Sequence, residues 1–287
     1  MVKKILITGA SGMLGSLMVQ KLTEYETIGL NKNNLDITNI EDVEKIILNL
    51  KPDLIIHTAA HTNVEDAENN IDLSYKINVI GTYNLVKICQ SKKIKFMFIS
   101  STGIYGKSKS TPYIESDKVI PTTVHHTTKH EAEKIVEKHL SDFVILRTGW
   151  LFGGKTTHTK NFVFNRYLEG KKSDIIFANP HQFGVPTSII DLIEQIKVIL
   201  KNDLIGVYNC VNKGYASRSE YIQEIFKNFN LDTQVLPIEG TFERRADVSN
   251  NEMANNYYLE LMNLNVMKDW RESLAIYIDQ LRIELGE

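Results

Sequence analysis

A glycine-rich turn near the N-terminus constrains this chain more than any other feature. An apolar run, Lys4 to Thr8, leads into Gly9-Ala10-Ser11-Gly12-Met13-Leu14-Gly15, and apolar residues at helical spacing follow from Met13 to Tyr25. Glycines so spaced between a strand and a helix permit a tight turn and close approach of the backbone to a pyrophosphate. The free N–H groups at the helix start can then bind the anion. The turn therefore predicts a dinucleotide site for NAD or NADP, formed by Gly9, Ser11, Gly12, Met13, Leu14 and Gly15.

The rest of the first half alternates short apolar strands with amphipathic helices. Strands are predicted at 27–30, 53–57, 95–100 and 143–147, and helices at 40–50, 72–91 and 122–140, the first of these helices capped by Thr38 or Asn39. This alternation is typical of βαβ units, so we expect an α/β, Rossmann-type, doubly wound parallel sheet.

The pattern is less regular after Gly149, where short strands (174–178 and 206–209) mix with helices (187–200 and 219–228). We expect residues 1–149 to form the cofactor domain, joined by 186–209 and part of the C-terminal helix region. Residues 150–185 and 210–265 are then expected to form a smaller, interleaved C-terminal lobe.

Composition excludes several classes of partner. The formal net charge of −2 gives no electrostatic reason to expect nucleic acid or an anionic membrane. No apolar stretch has the length of a membrane span, and the N-terminal apolar run is too short for a signal peptide. Cys89 and Cys210 stand apart among apolar residues, without a metal-binding or disulfide pattern. We therefore expect a cytoplasmic protein without a bound metal.

The residues after the second predicted strand bear on the choice between NAD and NADP. An acidic residue at this place would bind the ribose 2′-OH of NAD, whereas a cation accommodates a 2′-phosphate. Here Asn31 and Lys32 occupy it. If Lys32 contacts the cofactor, it favours NADP, or binding of NAD and NADP alike. The alternative is that Lys32 is a solvated loop lysine.

Several strings along nearly the whole chain are more specific than the glycine turn. They are Leu35-Asp36-Ile37-Thr38, His57-Thr58-Ala59-Ala60-His61-Thr62, Asn78, Ser101-Thr102, Arg147-Thr148-Gly149-Trp150, Asn161-Phe162, Gln182-Phe183-Gly184-Val185-Pro186-Thr187 and Asp269-Trp270. In order and spacing they resemble the dTDP-4-dehydrorhamnose reductase family, within the extended short-chain dehydrogenases/reductases. The resemblance implies a nucleotide-sugar substrate bound by the second lobe, and a homodimer is one assembly compatible with it.

The same resemblance assigns roles to individual residues. Asp36 and Ile37 would flank the adenine, Ala59, Ala60 and His61 would line the cofactor cleft, and Lys129 would hold the nicotinamide ribose. Thr102 would bind the substrate carbonyl. The implied substrate-binding residues are Tyr105, Trp150, Asn161, Arg166 and Arg245, with Arg244 as the alternative to Arg245.

One residue departs from the family pattern. The family has Tyr-x-x-x-Lys, and the matching stretch here has His125 in place of the tyrosine, four residues before Lys129. This spacing puts both on one helical face. A nearby ammonium lowers the pKa of an imidazole, so we expect a largely neutral His125, which is a better base than acid.

Other groups could compensate for the missing phenol. Glu115 or Asp117 could restore a charge to His125, and Tyr105 or Tyr113 could supply a phenol from the preceding loop. His126 and His130 have metal-ligand spacing but no obvious third ligand.

Three hypotheses about function follow. The first is an NAD(P)-dependent sugar-nucleotide oxidoreductase that reduces a 4-keto-6-deoxysugar with Thr102, His125 and Lys129 as catalytic residues. The second is an epimerase, dehydratase or dehydrogenase that uses His125 as a base. The third is a regulatory subunit that binds the cofactor without turnover.

Overall fold

The computed structural model describes residues 2–238 and 244–286. Its strands are β1 (Lys4–Thr8), β2 (Glu26–Leu30), β3 (Leu54–His57), β4 (Lys95–Ser101), β5 (Phe143–Thr148), β6 (Leu151–Phe152), β7 (Ile175–Ala178), β8 (Phe183–Gly184), β9 (Thr187–Ser188), β10 (Gly206–Asn209), β11 (Ala216–Ser217) and β12 (Gln234–Pro237). Its helices are α1 (Met13–Lys21), α2 (Ile40–Leu50), α3 (Val64–Asn69), α4 (Ile71–Ser74), α5 (Gly81–Lys92), α6 (Val124–His139), α7 (Phe162–Gly170), α8 (Ile189–Lys201), α9 (Arg218–Phe229), α10 (Tyr257–Leu261) and α11 (Trp270–Leu285). The predicted α/β fold with a parallel sheet is confirmed.

Six strands form the main sheet in the order β2-β1-β3-β4-β5-β10, and every neighbouring pair is parallel. Strand β2 lies on one side of β1, and the next strand, β3, lies on the other. The chain therefore reverses direction across the sheet between β1 and β3. In such sheets the carboxyl ends of the two strands at this switch point form a crevice for ligands.

Helices cover both faces of the sheet, which explains why its central strands are apolar without alternation. Side chains of α1 and α8 pack on one face, and those of α2, α5 and α6 pack on the other. Helix α2 shows how sequence sets the boundaries: the Asn39 side chain accepts hydrogen bonds from the N–H groups of Glu41 and Asp42, and Lys51 ends the helix in a left-handed conformation. Of the two predicted caps, Asn39 is the one present.

The helix predicted over 72–91 has a different course. It begins with α4, widens into a π-helical turn over Tyr75–Ile80, and continues as α5. Gly81 follows the π turn, and a Cβ there would lie 2.7 Å from the Ile37 side chain. This close approach packs the helix against the loop after β2, and the π turn buries Asn78 in the interior. Such turns are frequent at functional sites.

A second core lies outside the sheet and contains apolar residues of α7, α9 and α11. The placement of two segments differs from the expected division. Helix α11 packs in this second core and not on the sheet, whereas Leu259 of α10 packs in the sheet core, close to β10. Both contacts are non-local, and each helix has an apolar face that either core could bury.

Candidate active site

A cleft of about 770 Å³ lies at the carboxyl ends of β1 and β3, where the switch point predicts a ligand. All the cofactor residues expected from sequence line it, except His61. They are Gly9, Ser11, Gly12, Met13, Leu14, Gly15, Asn31, Lys32, Asp36, Ile37, Ala59, Ala60 and Lys129. The same cleft includes His125, Gly149 and Trp150, so one cavity joins the glycine turn to His125 and Lys129, whereas Thr102 does not line it.

The three glycines of the turn have different surroundings. Gly9 has φ +70°, and a Cβ there would lie 2.7 Å from the backbone nitrogen of Ala59. A Cβ at Gly15 would lie 2.5 Å from the Gly9 carbonyl oxygen. Gly12 meets only the Gly9 oxygen, at 3.3 Å. The fold therefore requires Gly9 and Gly15 themselves, whereas a side chain at Gly12 would extend into the cleft.

Helix α1 begins at this turn without a side-chain cap. In the described parts of the chain, every other helix of nine or more residues that starts from a loop has one: Asn39, Thr123, Asn161, Ser188, Ser217 and Asp269 are the caps. The first N–H groups of α1 are thus left for another acceptor, and the helix dipole favours a negative one. These features fit the pyrophosphate of a dinucleotide.

Two lysines, Lys32 and Lys76, line the opposite end of the cleft near Asp36. The Thr38 backbone N–H and hydroxyl donate hydrogen bonds to the Asp36 carboxylate and hold its pKa below the ordinary value. Asp36 is therefore ionised and oriented at neutral pH. Lys32 and Lys76 are exposed and form no ion pair within 4 Å with another described residue, so both are available to an anion.

His125 is buried at the cleft wall with a defined tautomer. Its Nδ1 lies 2.9 Å from the carbonyl oxygen of His61. A carbonyl oxygen only accepts, so Nδ1 carries the proton. Burial, together with the charges of His126 and Lys129, lowers the pKa of His125 to about 3. The imidazole is therefore neutral at pH 7, and its Nε2 is an acceptor.

A small network fixes the His61 carbonyl that selects this tautomer. The Asn78 side chain accepts a hydrogen bond from the His61 N–H at 2.7 Å and donates one to the His61 oxygen at 3.2 Å. It also donates to the Thr128 hydroxyl at 2.9 Å. The His61 ring is bound by Ser74 and Asp66. His61 thus serves the site through its backbone, and its ring is not among the groups that line the cleft.

Lys129 has a pKa near neutrality. Its ammonium lies 3.8 Å from the centre of the Phe98 ring, and its side chain is almost fully buried. Burial lowers the pKa of Lys129 to about 7, although the Glu133 carboxylate opposes the shift. Near pH 7 this lysine can therefore both donate and accept a proton.

The four groups expected to compensate for the missing phenol are bound elsewhere. Tyr105 is fully buried, donates to Asn209 at 2.8 Å, and has a pKa raised to about 12, mainly by burial. Tyr113 stacks on it and donates to the Gly106 oxygen. Glu115 accepts from the Asn209 N–H, and Asp117 binds Lys109. None of the four lines the cleft. The assignment of Tyr105 to the substrate is therefore corrected: its inward-facing ring belongs to the core.

His126 and His130 do not form a metal site. The His126 ring fills the space beside Gly103, where a Cβ would lie 2.2 Å from it, and its Nε2 is 3.9 Å from Glu252. His130 lies 3.7 Å from the Glu133 carboxylate. Over residues 2–238 and 244–286, no group of three or more His, Cys, Asp or Glu side chains is placed to hold a metal ion.

Thr102 and Trp150 lie where the two cores meet. The Thr102 hydroxyl points at Gly149, where a Cβ would be only 2.5 Å away, and among the described residues it has no hydrogen-bond partner. Trp150 lines the cleft and donates to Glu252 at 2.5 Å. The Arg218 guanidinium stacks on the Trp150 ring at 3.4 Å. Arg218 was not identified from sequence, because a single arginine at a helix start has no distinguishing pattern.

The other expected substrate residues have structural partners. Asn161 is fully buried, caps α7 and donates to Tyr277 at 2.6 Å, so it is a structural residue here. Arg166 pairs with Glu169 at 2.6 Å. Burial lowers the pKa of Arg218 to about 10, and the charges of Arg244 and Arg166 act in the same direction. Arg244 binds Glu65 at 2.6 Å, and Arg245 contacts Asn69.

The chain was compared with known proteins. The family model described as the RmlD substrate binding domain matches residues 3–283. A dTDP-4-dehydrorhamnose reductase of Aggregatibacter actinomycetemcomitans is 32% identical over 206 residues, which are 71% of this chain and 69% of that protein.

Two solved structures are similar over nearly their whole length. A dTDP-4-dehydrorhamnose reductase from Clostridium acetobutylicum is 35% identical, with a TM-score of 0.92 over 97% of this chain and 99% of that one. A dTDP-4-dehydrorhamnose reductase from Bacillus anthracis in complex with NADP is 30% identical, with a TM-score of 0.92 over 98% of this chain and 100% of that one.

Proposed function

The chain belongs to the family described as the RmlD substrate binding domain, and from this premise we propose that it is an NAD(P)-dependent sugar-nucleotide oxidoreductase. The reaction proposed is reduction of the 4-keto group of a nucleotide-activated 6-deoxysugar. The observation that carries it is the single cleft that joins an uncapped glycine turn to His125 and Lys129. The Thr102 hydroxyl faces Gly149, which also lines this cleft.

Each part of the cleft is proposed to bind a different part of the cofactor or of the substrate. The turn from Gly9 to Gly15 and the N-terminus of α1 would hold the pyrophosphate, with Asp36 and Ile37 at the adenine. When bound, the reduced nicotinamide supplies a hydride to the keto carbon and becomes oxidised. The keto oxygen takes up one proton, so the product is an alcohol. Thr102 would bind this oxygen, and Trp150 and Arg218 would face the sugar nucleotide.

We propose Lys129 as the proton source for this reduction. Neutral His125 has its only N–H bound to the His61 carbonyl, so it has no proton to give at Nε2. Lys129 has a pKa of about 7 and lines the same cleft, so its ammonium form is well populated at neutral pH. In this scheme His125 accepts a hydrogen bond at Nε2, and it thereby orients the donor of that bond beside Lys129.

The tautomer of His125 also favours a second candidate, oxidation of a sugar hydroxyl. An imidazole with a free Nε2 lone pair is a suitable base for removing the hydroxyl proton as the hydride leaves. The absorbance of the nicotinamide band distinguishes the alternatives. Consumption of NADPH with dTDP-, UDP- or GDP-linked 4-keto-6-deoxysugars supports reduction, and formation of NADPH from NADP with the corresponding alcohols supports oxidation. Cofactor binding with no turnover on any of them would contradict both and leave a regulatory subunit.

Cofactor preference gives a separate prediction. We expect Lys32→Asp to weaken NADP binding about tenfold relative to NAD, because a carboxylate would replace a cation near the 2′-phosphate. Lys76→Met is expected to act in the same direction from the facing helix. Dissociation constants for both cofactors, measured by calorimetry, test this. Equal losses for NAD and NADP would show that neither lysine recognises the 2′ position.

We propose that the protein is cytoplasmic and that it forms a homodimer. Cys89 and Cys210 are buried and unpaired, which is compatible with a reducing cytoplasm. Among the described residues, no helix combines the length and the apolar composition that crossing a bilayer requires. A homodimer would be detected by its mass in solution.

A further inference from the structure

The glycine turn has no positively charged side chain of its own to balance the charge of a pyrophosphate. The segment from Gly9 to Gly15 contains no cationic side chain, so backbone N–H groups and the α1 dipole are all that it offers to a pyrophosphate. A dianion in a partly buried cleft is stabilised more by a nearby cation than by dipoles alone. The cation has to come from another part of the chain.

Four lysines line the cleft in the described part of the chain: Lys32, Lys76, Lys129 and Lys160. Lys32 follows β2, at the edge of the sheet, and Lys76 is near it at Asp36. Lys129 lies over Phe98 of β4, two strands from β1. Lys32 and Lys76 are therefore at one end of the cleft, and Lys129 is at the other. Lys160 is the remaining lysine, and we assign it to the middle of the cleft.

The contacts of Lys160 place it beside the glycine turn. Its Nζ donates to the Thr62 hydroxyl at 2.6 Å, in the loop that follows β3, and β3 is the direct neighbour of β1. The loop that carries Lys160 also covers the turn: a Cβ at Gly154 would lie 2.8 Å from His158 and 3.2 Å from Met13. The second lobe thus brings a lysine across the cleft to the β1 and β3 loops.

Lys160 forms no ion pair with another described residue. Asp66 is the nearest carboxylate that acts on it, but the two oxygens of Asp66 are bound by His61 and Asn70. No carboxylate of the described residues lies within 4 Å of Lys160. Although Lys160 is exposed, partial desolvation lowers its pKa from the ordinary value. A partly desolvated cation without a counterion gains from an anion placed beside it.

We infer that Lys160 is a cofactor-binding residue that neutralises the pyrophosphate of the bound dinucleotide from the substrate lobe. This inference rests on the proposed function, because it assumes that a dinucleotide occupies the cleft. It goes beyond that function by making the second lobe part of the cofactor site.

Binding measurements without a sugar nucleotide test the inference. We expect Lys160→Met to weaken NADPH and NADH by about tenfold each, and Lys160→Arg to restore most of the affinity. ADP-ribose contains the pyrophosphate and should lose affinity similarly, whereas adenosine 2′-monophosphate has no phosphate on its 5′ oxygen and should bind as to the wild type. Lys155→Met is the matched control, because Lys155 is exposed in the same loop and does not line the cleft.

The outcomes separate this inference from the proposed function. If Lys160→Met binds NADPH as tightly as the wild type, the inference about Lys160 is wrong and the proposed function is unaffected. This includes the outcome in which only dTDP binding weakens, because the lysine would then bind the substrate. Equal losses for ADP-ribose and adenosine 2′-monophosphate would also overturn it, since the lysine would not recognise the pyrophosphate. Failure of the wild-type chain to bind any dinucleotide would overturn the proposed function itself.

Discussion

Replacement of Gly12 by valine is expected to abolish measurable NADPH binding while the protein stays folded. The added side chain meets only the Gly9 carbonyl oxygen, at 3.3 Å, so the protein accommodates it with a small adjustment. Its two methyl groups would occupy the space at the N-terminus of α1 where the pyrophosphate is expected. We expect the dissociation constant to rise at least about 100-fold, which corresponds to about 2.7 kcal/mol.

A graded series controls for general damage to the fold. Gly12→Ala adds one carbon and should weaken binding less than Gly12→Val, with both variants unfolding at temperatures close to that of the wild type. Gly9→Ala and Gly15→Ala, by contrast, should lower thermal stability, because each Cβ would meet backbone atoms at 2.9 Å or less. Wild-type NADPH affinity in a folded Gly12→Val protein would show that the cofactor is not held at this turn.

The second large effect is expected at Lys129. If its ammonium supplies the proton, the rate of ketone reduction should fall as the pH rises through about 7, the pKa that burial gives this lysine. The sign follows because the deprotonated amine has no proton to donate. Lys129→Met should reduce kcat by at least about 100-fold at pH 7, the range typical of general acid catalysis. Lys134→Met is the matched control, since Lys134 is exposed on the same helix and paired with Glu131.

Substitution of His125 separates proton donation from orientation. His125→Tyr introduces a phenol at the cleft wall, so it should raise reduction above pH 8, where Lys129 is largely neutral. His125→Phe offers no proton and no acceptor, so it should lower kcat and leave the fall near pH 7 in place. The account of Lys129 is wrong if wild-type reduction is constant from pH 6 to pH 9, or if Lys129→Met retains the wild-type rate.

Local patterns allowed much of this site to be predicted. The strand Lys4–Thr8, the turn and α1 occupy consecutive residues, so their geometry follows from local preferences and their place at the cleft was expected. The four-residue spacing of His125 and Lys129 likewise puts both at the cleft. The neutral state of His125 was also expected, but burial lowers its pKa more than the Lys129 charge on which that prediction rested.

The features that sequence did not reveal depend on contacts between distant residues. The tautomer of His125 is set by the His61 carbonyl, which Asn78 holds from a π turn that no apolar spacing predicts. Tyr105 precedes a tight turn at Gly106, and its direction into the core depends on Arg147 and Asn209. Lys160 reaches the cleft only because the loop between β6 and α7 folds over the β3 loop, so its charge gave no sign of a role.

The central claim is that the chain transfers a hydride to the keto carbon of a sugar nucleotide. The most direct test is incubation of the purified protein with NADPH deuterated at C4 of the nicotinamide and dTDP-4-keto-6-deoxy sugars, followed by mass spectrometry and NMR of the sugar. We predict one deuterium at C4 of the sugar for each NADPH oxidised, with the keto group converted to a hydroxyl. Recovery of the keto sugar without deuterium and of unchanged NADPH, from a protein that binds both, would contradict the account.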